Sequence, residues 1–302
     1  MKYYSIANMN GSALIQGCMR MRNLDADQCD RMVMTAMENG INFFDHADIY
    51  GAGKSEELFG QVLKSHPGLR DKMIIQSKCA ISKGMYDFSK DHILSSVDGS
   101  LRRLGVDYLD SLLLHRPDTL MDEEVAEAFD ALQSSGKVKA FGVSNQSSHQ
   151  MKLLQSLVSQ PLLFNQLQLS LMHTGMIDAG MHVNMQETAS LDHDGGILEH
   201  CRLHGVTIQA WSPVQYGFFS GTFLGNAQFP ALNQKLEELA QRNEVTPGAI
   251  AIAWILRHPA RMQVVLGTTN PQRIADYAKA ADVTLSRREW YDLYKSAGNT
   301  LP

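Results

Sequence analysis

The segment INFFDHADIYGAGKSEELFGQVLKSHPGLRDKMIIQSK, residues 41–78, contains two short apolar runs separated by an amphipathic stretch. The runs INFFD (41–45) and MIIQSK (73–78) are typical of strands buried on both faces, and SEELFGQVLKSH (55–66) has the pattern of a helix. A strand, a helix and a second strand in this order predict a unit of an α/β fold with parallel strands.

The same alternation continues along nearly the whole chain. Eight strands are predicted: ALIQG (13–17), INFFD (41–45), MIIQSK (73–78), YLDSLLLH (108–115), VKAFGVS (138–144), LLFNQLQ (162–168), VTIQAW (206–211) and MQVVLG (262–267). Ten helices are predicted between and after the strands, at 25–40, 55–66, 89–105, 123–136, 147–160, 197–205, 230–244, 246–259, 271–280 and 286–298. The first of these helices has two candidate caps, Asp25 and Asp27.

Eight strands that alternate with helices predict an α/β fold, a (β/α)8 TIM barrel. A doubly wound sheet alternates in the same way, but it usually carries a G-x-G-x-x-G turn after its first strand, and this chain has none. No linker interrupts the pattern. We therefore expect a single domain over residues 1–302.

Composition argues against several classes of function. The chain has 302 residues, of which 44% are hydrophobic, and its formal net charge of −5 gives no reason to expect nucleic acid or an anionic membrane as a partner. It shows neither an apolar secretory signal nor a run long enough to cross a bilayer. The four cysteines are widely spaced, so we expect reduced thiols in a cytoplasmic protein, with no disulfide and no zinc site. The sequence leaves the oligomeric state open.

Four polar residues lie at or just beyond the ends of three consecutive predicted strands. They are Asp45, Tyr50, Lys78 and His115. In a parallel barrel the carboxyl ends of the strands meet at one face, where active sites are built. We therefore expect these four side chains to converge. Taken singly, each has a structural alternative: a tyrosine at the rim, an Asp–Lys ion pair, or a histidine buried in the core.

These four residue types can together deliver a proton. A tyrosine has a pKa near ~10, and a neighbouring ammonium such as that of Lys78 lowers it, which makes proton transfer easier. Asp45 can keep a buried Lys78 charged. The imidazole of His115 can hold a carbonyl oxygen beside the phenol. The pattern predicts a proton-donating site.

Two other interpretations of this region have less support. GAGKS (51–55) imitates the end of a phosphate-binding P-loop, but the full pattern needs glycine where Asp48 stands. His46, Asp48 and His115 are candidate metal ligands, but the first strand has no H-x-H motif and Lys78 would repel a cation. We expect no metal.

The chain resembles the aldo-keto reductase family in six separated motifs that occur in the family's order. NFFDHADIYG resembles the family signature Asp-x-Ala-x-x-Tyr-Gly, and HADIYG with HRPD resembles the bacterial oxidoreductase branch. The other matching segments are SK (77–78), LLLHRPD (112–118), GVSN (142–145), NQ (165–166) and WSPV (211–214).

The resemblance implies an NADPH-dependent reductase that converts a small-molecule aldehyde or ketone to an alcohol. Tyr50 would be the general acid, Lys78 and Asp45 would tune it, and His115 would orient the substrate oxygen. The family binds NADP(H) across the barrel mouth without a Rossmann motif, in agreement with the missing G-x-G-x-x-G.

The resemblance also implies which residues bind the cofactor. Ser144, Asn145 and Gln166 match the positions that hold the nicotinamide carboxamide, and Trp211 matches an aromatic that stacks on the ring. The remaining positions are the nicotinamide-side Gly17 and Cys18, the pyrophosphate loop with Ser212, Pro213 and Gly217, and the 2′-phosphate site with Gly267, Thr268, Thr269 and Arg273.

Several of these positions depart from the family or have a structural alternative. Trp211 stands where tyrosine is commoner, and core packing is its alternative role. Cys18 replaces a commoner threonine and has a packing role as its alternative. Many relatives have lysine at the position of Gly267 and Glu-Asn at Asp276 and Tyr277, which weakens the adenine-side contacts. Arg273 has a solvated helix position as its alternative.

Two rival functions and two unassigned segments remain. One rival is a cofactor-binding regulatory subunit like those of potassium channels, which are relatives of this barrel. The other is a metal-dependent barrel hydrolase. The irregular segment 169–196 follows the sixth strand, and we expect it to shape the pocket. The aromatic residues of 286–298 either approach the barrel mouth or pack against other helices.

Overall fold

Eight parallel strands form a closed barrel surrounded by helices in a computed structural model that describes residues 1–301. The strands are β1 (Tyr3–Ile6), β2 (Met9–Ser12), β3 (Leu14–Gly17), β4 (Phe43–Asp45), β5 (Ile74–Cys79), β6 (Ile81–Ser82), β7 (Met85–Tyr86), β8 (Ser111–Leu114), β9 (Phe141–Ser144), β10 (Leu162–Gln168), β11 (Thr207–Trp211) and β12 (Gln263–Leu266). The helices are α1 (Ala26–Glu38), α2 (Lys54–Ser65), α3 (Lys90–Leu104), α4 (Glu124–Ser134), α5 (Ser148–Leu157), α6 (Gly175–Met181), α7 (Ile197–His204), α8 (Pro230–Asn243), α9 (Pro247–Leu256), α10 (Pro271–Ala278) and α11 (Arg287–Ser296).

The predicted (β/α)8 barrel is confirmed. Around the barrel the strands run β3, β4, β5, β8, β9, β10, β11 and β12, and β12 pairs with β3 to close the ring. These are the eight predicted strands, and neighbouring pairs are parallel throughout. Asp25, one of the two candidate caps, caps α1 by accepting from the backbone N–H of Gln28.

Two hairpins and one helix were not predicted. The hairpin of β1 and β2 covers the amino-terminal end of the barrel, where Ile6 packs against an inner apolar layer. That layer consists of Ile15, Phe43, Ile74, Leu113, Phe164 and Val265. The polar sequence of β2, MNGS, carries no strand pattern, so only its position over the barrel reveals its role. The hairpin of β6 and β7 follows β5, and α6 lies within the segment 169–196.

The outer helices pack their apolar faces onto the barrel, and α9 is enclosed on all sides. Every residue from 248 to 256 is buried, because α8, α10, β12 and the segment Lys279–Asp282 surround this helix. The rings of Trp254 and Trp290 stack at 4.9 Å, and each indole N–H donates to the backbone carbonyl of the other residue at 3.1 Å. The aromatic residue Trp290 therefore fixes α11 to α9 by packing.

The thiols and the helices give two further structural facts. Cys18, Cys29, Cys79 and Cys201 are buried and unpaired. Within residues 1–301, every helix is too short or too polar to pass through a lipid bilayer.

Candidate active site

A cavity of about 760 Å³ opens at the carboxyl ends of the barrel strands. Asp45, Tyr50 and His115 lie on its wall, and Lys78 lies directly behind Tyr50 with a fully buried side chain. The parallel pairing produces this convergence, because β4, β5 and β8 are adjacent and end at the same face. The structure thus brings the four residues together.

Lys78 is held by a dense set of acceptors. Its ammonium donates to both carboxylate oxygens of Asp45 at 2.7 Å, to the carbonyl of His46 at 2.9 Å and to the hydroxyl of Tyr50 at 3.2 Å. Burial alone would lower the pKa of Lys78, but the Asp45 carboxylate and Tyr50 outweigh it and raise that pKa above its ordinary value. The raised pKa favours the charged ammonium at neutral pH.

The Lys78 ammonium lowers the pKa of Tyr50, as the sequence predicts, but the net shift of that pKa is upward. Burial of the phenol raises the pKa of Tyr50, and the opposing pull of the Lys78 ammonium does not overcome it. The Asp45 carboxylate offsets part of that pull. The phenol consequently stays protonated at neutral pH, in hydrogen-bond contact with an ammonium.

His115 presents a neutral ring to the cavity. Burial lowers the pKa of His115 well below its usual range, and the charges of Lys78 and Arg116 lower it further. Its ring lies edge-on to that of Tyr50, with 5.9 Å between the centroids, and its Nδ1 is buried without a hydrogen-bond partner. A neutral imidazole beside a protonated phenol places two hydrogen-bonding groups at one end of the cavity.

A buried network of glutamine amides, which the sequence reasoning missed, lies below Asp45. The Nε2 groups of Gln76 and Gln166 donate to Asp45 Oδ1 at 2.7 and 3.0 Å, and both also donate to Gln209 Oε1, at 2.8 and 3.1 Å. Gln209 donates in turn to Gln263, which donates to the backbone carbonyl of Ser12. The network fixes the Asp45 carboxylate from below while Lys78 holds it from the side.

The network also determines the orientation of the Gln166 amide. Asp45 offers only acceptor atoms in its ion pair with Lys78, so the atom of Gln166 that faces it must be the NH₂ group. The Gln166 side chain lines the cavity, and its carbonyl oxygen is left to accept from a bound molecule. That oxygen suits the NH₂ group of a carboxamide.

The predicted cofactor residues divide into those on the cavity wall and those off it. Cys18, Gly217 and Thr269 are not part of the wall; Cys18 is fully buried, and the carbonyl of Gly217 accepts from the Gln168 side chain. Those on the wall are Gly17, Ser144, Asn145, Gln166, Trp211, Ser212, Pro213, Gly267, Thr268 and Arg273.

Ser144, Asn145 and Trp211 form a connected polar group at the ends of β9 and β11. Asn145 donates to Ser144 Oγ at 2.7 Å and accepts from Trp211 Nε1 at 3.2 Å. Asn145 and Ser212 both adopt left-handed backbone, with φ of 57° and 54°, which turns the chain sharply at the rim. At Gly17 any side chain would meet a carbonyl, because a Cβ would lie 2.8 Å from Leu266 O. This part of the wall therefore presents polar side chains and one indole ring to the cavity.

The opposite end of the cavity leads to a second one of about 600 Å³. Arg273 and Tyr277 line both cavities, and Asp276 lines the second. Arg273 lies in the first turn of α10, which Asn270 caps. A guanidinium at this place can bind a phosphate, while the carboxylate of Asp276 partly opposes it.

The expected contribution of the segment 169–196 to the pocket is not borne out. None of the residues that line the 760 Å³ cavity comes from this segment. Phe218 and Phe219 do line the cavity, and each ring lies 6.1 Å from the ring of Trp211. Arg20, Arg22 and Arg116 also lie on the wall, although the sequence reasoning gave them no role.

Two groups near the tetrad, which is formed by Asp45, Tyr50, Lys78 and His115, remain without hydrogen-bond partners in the described part of the chain. Both ring nitrogens of His46 lack hydrogen bonds, and burial lowers the pKa of His46 to about 3. Oδ1 of Asp48 also lacks a partner. Within residues 1–301 no three His, Cys, Asp or Glu side chains are placed to hold a metal ion.

Comparison with known proteins finds one matching family model and similar bacterial reductases and oxidoreductases. The model of the aldo/keto reductase family matches residues 13–297. The chain is 39% identical to a 6-dehydroglucose reductase from Agrobacterium fabrum, over 95% of this chain and 94% of that protein. It is 34% identical to the uncharacterized oxidoreductase YcsN from Bacillus subtilis, over 94% and 93%.

A solved structure gives the same result. The crystal structure of the thermostable aldo-keto reductase Tm1743 with the inhibitor epalrestat superposes with a TM-score of 0.76 at 25% identity, over 98% of this chain and 100% of that chain. Sequence and structure comparisons therefore agree over nearly the whole chain.

Proposed function

The chain belongs to the aldo/keto reductase family, and from this premise we propose that it uses NADPH to reduce a small aldehyde or ketone to an alcohol. Carbonyl reduction with a nicotinamide cofactor is the general activity of the family. The proposal adds the cofactor preference and the roles of individual residues.

One observation carries the proposal: the contact of 3.2 Å between the Tyr50 hydroxyl and the Lys78 ammonium, on the wall of a cavity large enough for a cofactor and a substrate. Tyr50 donates its proton to the carbonyl oxygen as that oxygen becomes negative. The Lys78 cation then stabilises the phenolate, and the Asp45 carboxylate keeps Lys78 in position and charged. His115, being neutral, donates a hydrogen bond to the same oxygen.

The residues on the wall fit a nicotinamide cofactor. The free carbonyl oxygen of Gln166 and the polar group of Ser144 and Asn145 suit a carboxamide, and Trp211 offers an aromatic face. Gly17 also lines this wall, at a point where β3 packs so closely on β12 that a Cβ would lie 2.8 Å from Leu266 O. When bound, the reduced cofactor supplies the hydride.

The choice of NADPH over NADH rests on Arg273. Its guanidinium has no carboxylate within 4 Å in the described part of the chain and lies where the two cavities meet, which suits a 2′-phosphate. Gly267 and Asp276 provide no second cation there. We therefore expect a preference for NADPH that depends on Arg273, the cation at the junction of the two cavities. Isothermal titration should give a lower Kd for NADPH than for NADH, and Arg273→Ala should abolish the difference.

The proton donor is tested by Tyr50→Phe. Loss of the hydroxyl should lower kcat for aldehyde reduction by at least ~10²-fold, while NADPH still binds in isothermal titration. The control is Tyr291→Phe, which removes a hydroxyl from α11 at a position outside the cavity wall. Full activity of Tyr50→Phe would refute the assigned acid. Binding of NADPH by the wild type without turnover of any aldehyde would instead favour a regulatory subunit.

A further inference from the structure

The cavity wall carries more positive charge than the proposed chemistry uses. Its charged side chains are Arg20, Arg22, Asp45, Arg116 and Arg273. Asp45 is already paired with Lys78. Among residues 1–301, none of the four guanidinium groups has a carboxylate within 4 Å. Charges that face a cavity without partners favour a bound anion.

The order of the strands separates these arginines into two groups. The residues proposed for the cofactor follow β9, β10, β11 and β12, which are contiguous in the barrel. Arg273 follows β12, and Arg20 donates to the carbonyl of Gly267 at the end of the same strand, at 3.2 Å. These two arginines therefore lie on the cofactor side of the cavity.

Arg22 and Arg116 lie on the other side, around the proton-donating group. That side is formed after β3, β4, β5 and β8. The stem of Arg22 packs on Gly51, the residue after Tyr50, because a Cβ built on Gly51 would be 2.7 Å from Arg22 Cβ. Arg116 directly follows His115. Ile49 is an apolar residue that lines the same cavity.

Neither of these two arginines has a structural task in the described residues. Neither guanidinium makes a hydrogen bond or an ion pair to the protein, whereas Arg70 and Arg103 do both. Arg22 is exposed at the rim of the cavity and Arg116 is half-buried, so the donors of both are available to a ligand. The planar fork of arginine matches carboxylate and phosphate.

We propose that the carbonyl substrate carries an anionic group, a carboxylate or a phosphate, which Arg22 and Arg116 bind while the carbonyl lies at Tyr50 and His115. This inference rests on the proposed reductase function and names its substrate class. The anion sets which carbonyl compounds bind productively, and the tetrad performs the reduction.

The test compares charged and neutral aldehydes with NADPH in steady-state kinetics. One pair is 4-oxobutanoate and its methyl ester, and the other is glyceraldehyde 3-phosphate and glyceraldehyde. In at least one pair kcat/KM should be at least ~10-fold higher for the charged compound, since hydrogen bonds to charged groups are worth this much. The pair with the larger ratio identifies the anion.

Variants connect this preference to the two arginines. Arg22→Gln and Arg116→Gln should each lower the charged-to-neutral ratio of kcat/KM by about tenfold. Arg116 directly follows His115, so its replacement could also disturb that histidine. Arg22 is not next to His115 in the sequence, so Arg22→Gln tests the anion site without that effect. Arg31→Gln, on the exposed face of α1, should leave the ratio unchanged. Equal kcat/KM within both pairs, or a ratio that neither variant changes, would overturn the anion site.

A binding experiment separates failure of this inference from failure of the proposed function. The NADP⁺-loaded protein is titrated with the alcohols 4-hydroxybutanoate and glycerol 3-phosphate by calorimetry. Binding that is lost in Arg22→Gln and Arg116→Gln, in a protein that reduces no aldehyde, would keep the anion site and reject the reductase. Turnover of charged and neutral aldehydes at equal kcat/KM would keep the reductase function and reject the anion site.

Discussion

Asp48, two residues before the proposed acid, is an ionisable residue in an unfavourable position. Its Oδ1 has no hydrogen-bond partner, and burial together with the Glu56 carboxylate raises the pKa of Asp48 to about 6. A carboxyl whose pKa is higher in the folded state binds its proton more tightly when folded. The protonated Asp48 carboxyl therefore stabilises the folded state below a pH of about 4, and this stabilisation is lost as the pH rises through about 6. At neutral pH the buried Asp48 carboxylate lowers the free energy of unfolding by its full amount.

Asp48→Asn should stabilise the protein at neutral pH. The amide cannot ionise, so we expect about 1–2 kcal/mol more unfolding free energy at about pH 7.5 and no gain at about pH 4, after discounting for partial exposure. Urea denaturation at both pH values measures this difference. Asp107→Asn, at an exposed carboxylate without an ion pair, is the control and should change little at either pH. A gain of equal size at both pH values would contradict the explanation.

At the level of single residues, the sequence identified positions better than it identified properties. Asp45, Tyr50, Lys78 and His115 could be found because each follows a strand whose pattern is clear. The sign of the Tyr50 pKa shift could not be found. It depends on how far burial outweighs one ammonium whose charge is shared with Asp45, and burial is a property of the folded cavity.

Strand β5 shows how one element builds several layers of the barrel interior. Its inward side chains are Ile74 in the apolar layer, Gln76 in the amide network and Lys78 at the tetrad. Because every second side chain of a strand points to the same face, one six-residue strand contributes to the apolar layer, the amide network and the tetrad. The segment MIIQSK predicted the strand, but a glutamine within it gave no sign of its partners, because Gln209 and Asp45 lie on other strands.

The amide network should be needed for stability and for cofactor binding. Gln209→Met removes the acceptor shared by Gln76 and Gln166, and unsatisfied buried amides should lower the unfolding free energy by about 2–4 kcal/mol. The Gln166 amide also loses a constraint on its orientation, so the Kd for NADPH should rise. Chemical denaturation and calorimetry measure the two effects.

Gln61→Met supplies the comparison for this experiment. Gln61 lies on the exposed surface of α2 and its side chain makes no hydrogen bond in the described residues, so its replacement should cost less than ~0.5 kcal/mol. Similar losses for Gln209→Met and Gln61→Met would mean that the network contributes nothing beyond ordinary packing.

At the scale of the whole molecule, α11 joins parts of the chain that are far apart in sequence. Tyr294 donates to Asp178 of α6 at 2.6 Å, across 116 residues, and Trp290 stacks on Trp254 of α9. Sequence patterns locate helices but not their distant contacts. For this reason the sequence left two roles open for the aromatic residues of 286–298 and wrongly assigned the segment 169–196 to the pocket wall.

Tyr294→Phe should loosen the segment that contains α6. Loss of a hydrogen bond to a carboxylate should cost about 1.5–3 kcal/mol and speed amide hydrogen exchange over Gly175–Met181. Tyr291→Phe, on the same helix and with a hydroxyl that makes no hydrogen bond in the described residues, should leave the exchange unchanged. Unaltered exchange in both variants would show that this bond does not hold α6.

The four buried thiols can report local unfolding of the chain. Burial raises the pKa of Cys18 and Cys79 well above the ordinary value and that of Cys29 and Cys201 to about 11 and about 12, so the reactive thiolate is scarce while each site stays closed. An alkylating reagent can label a thiol only after the surrounding structure opens locally. Mass spectrometry of each alkylated peptide would then give a separate rate of local opening for each thiol. Cys18 and Cys79 would report on the ends of β3 and β5, and Cys29 and Cys201 on α1 and α7.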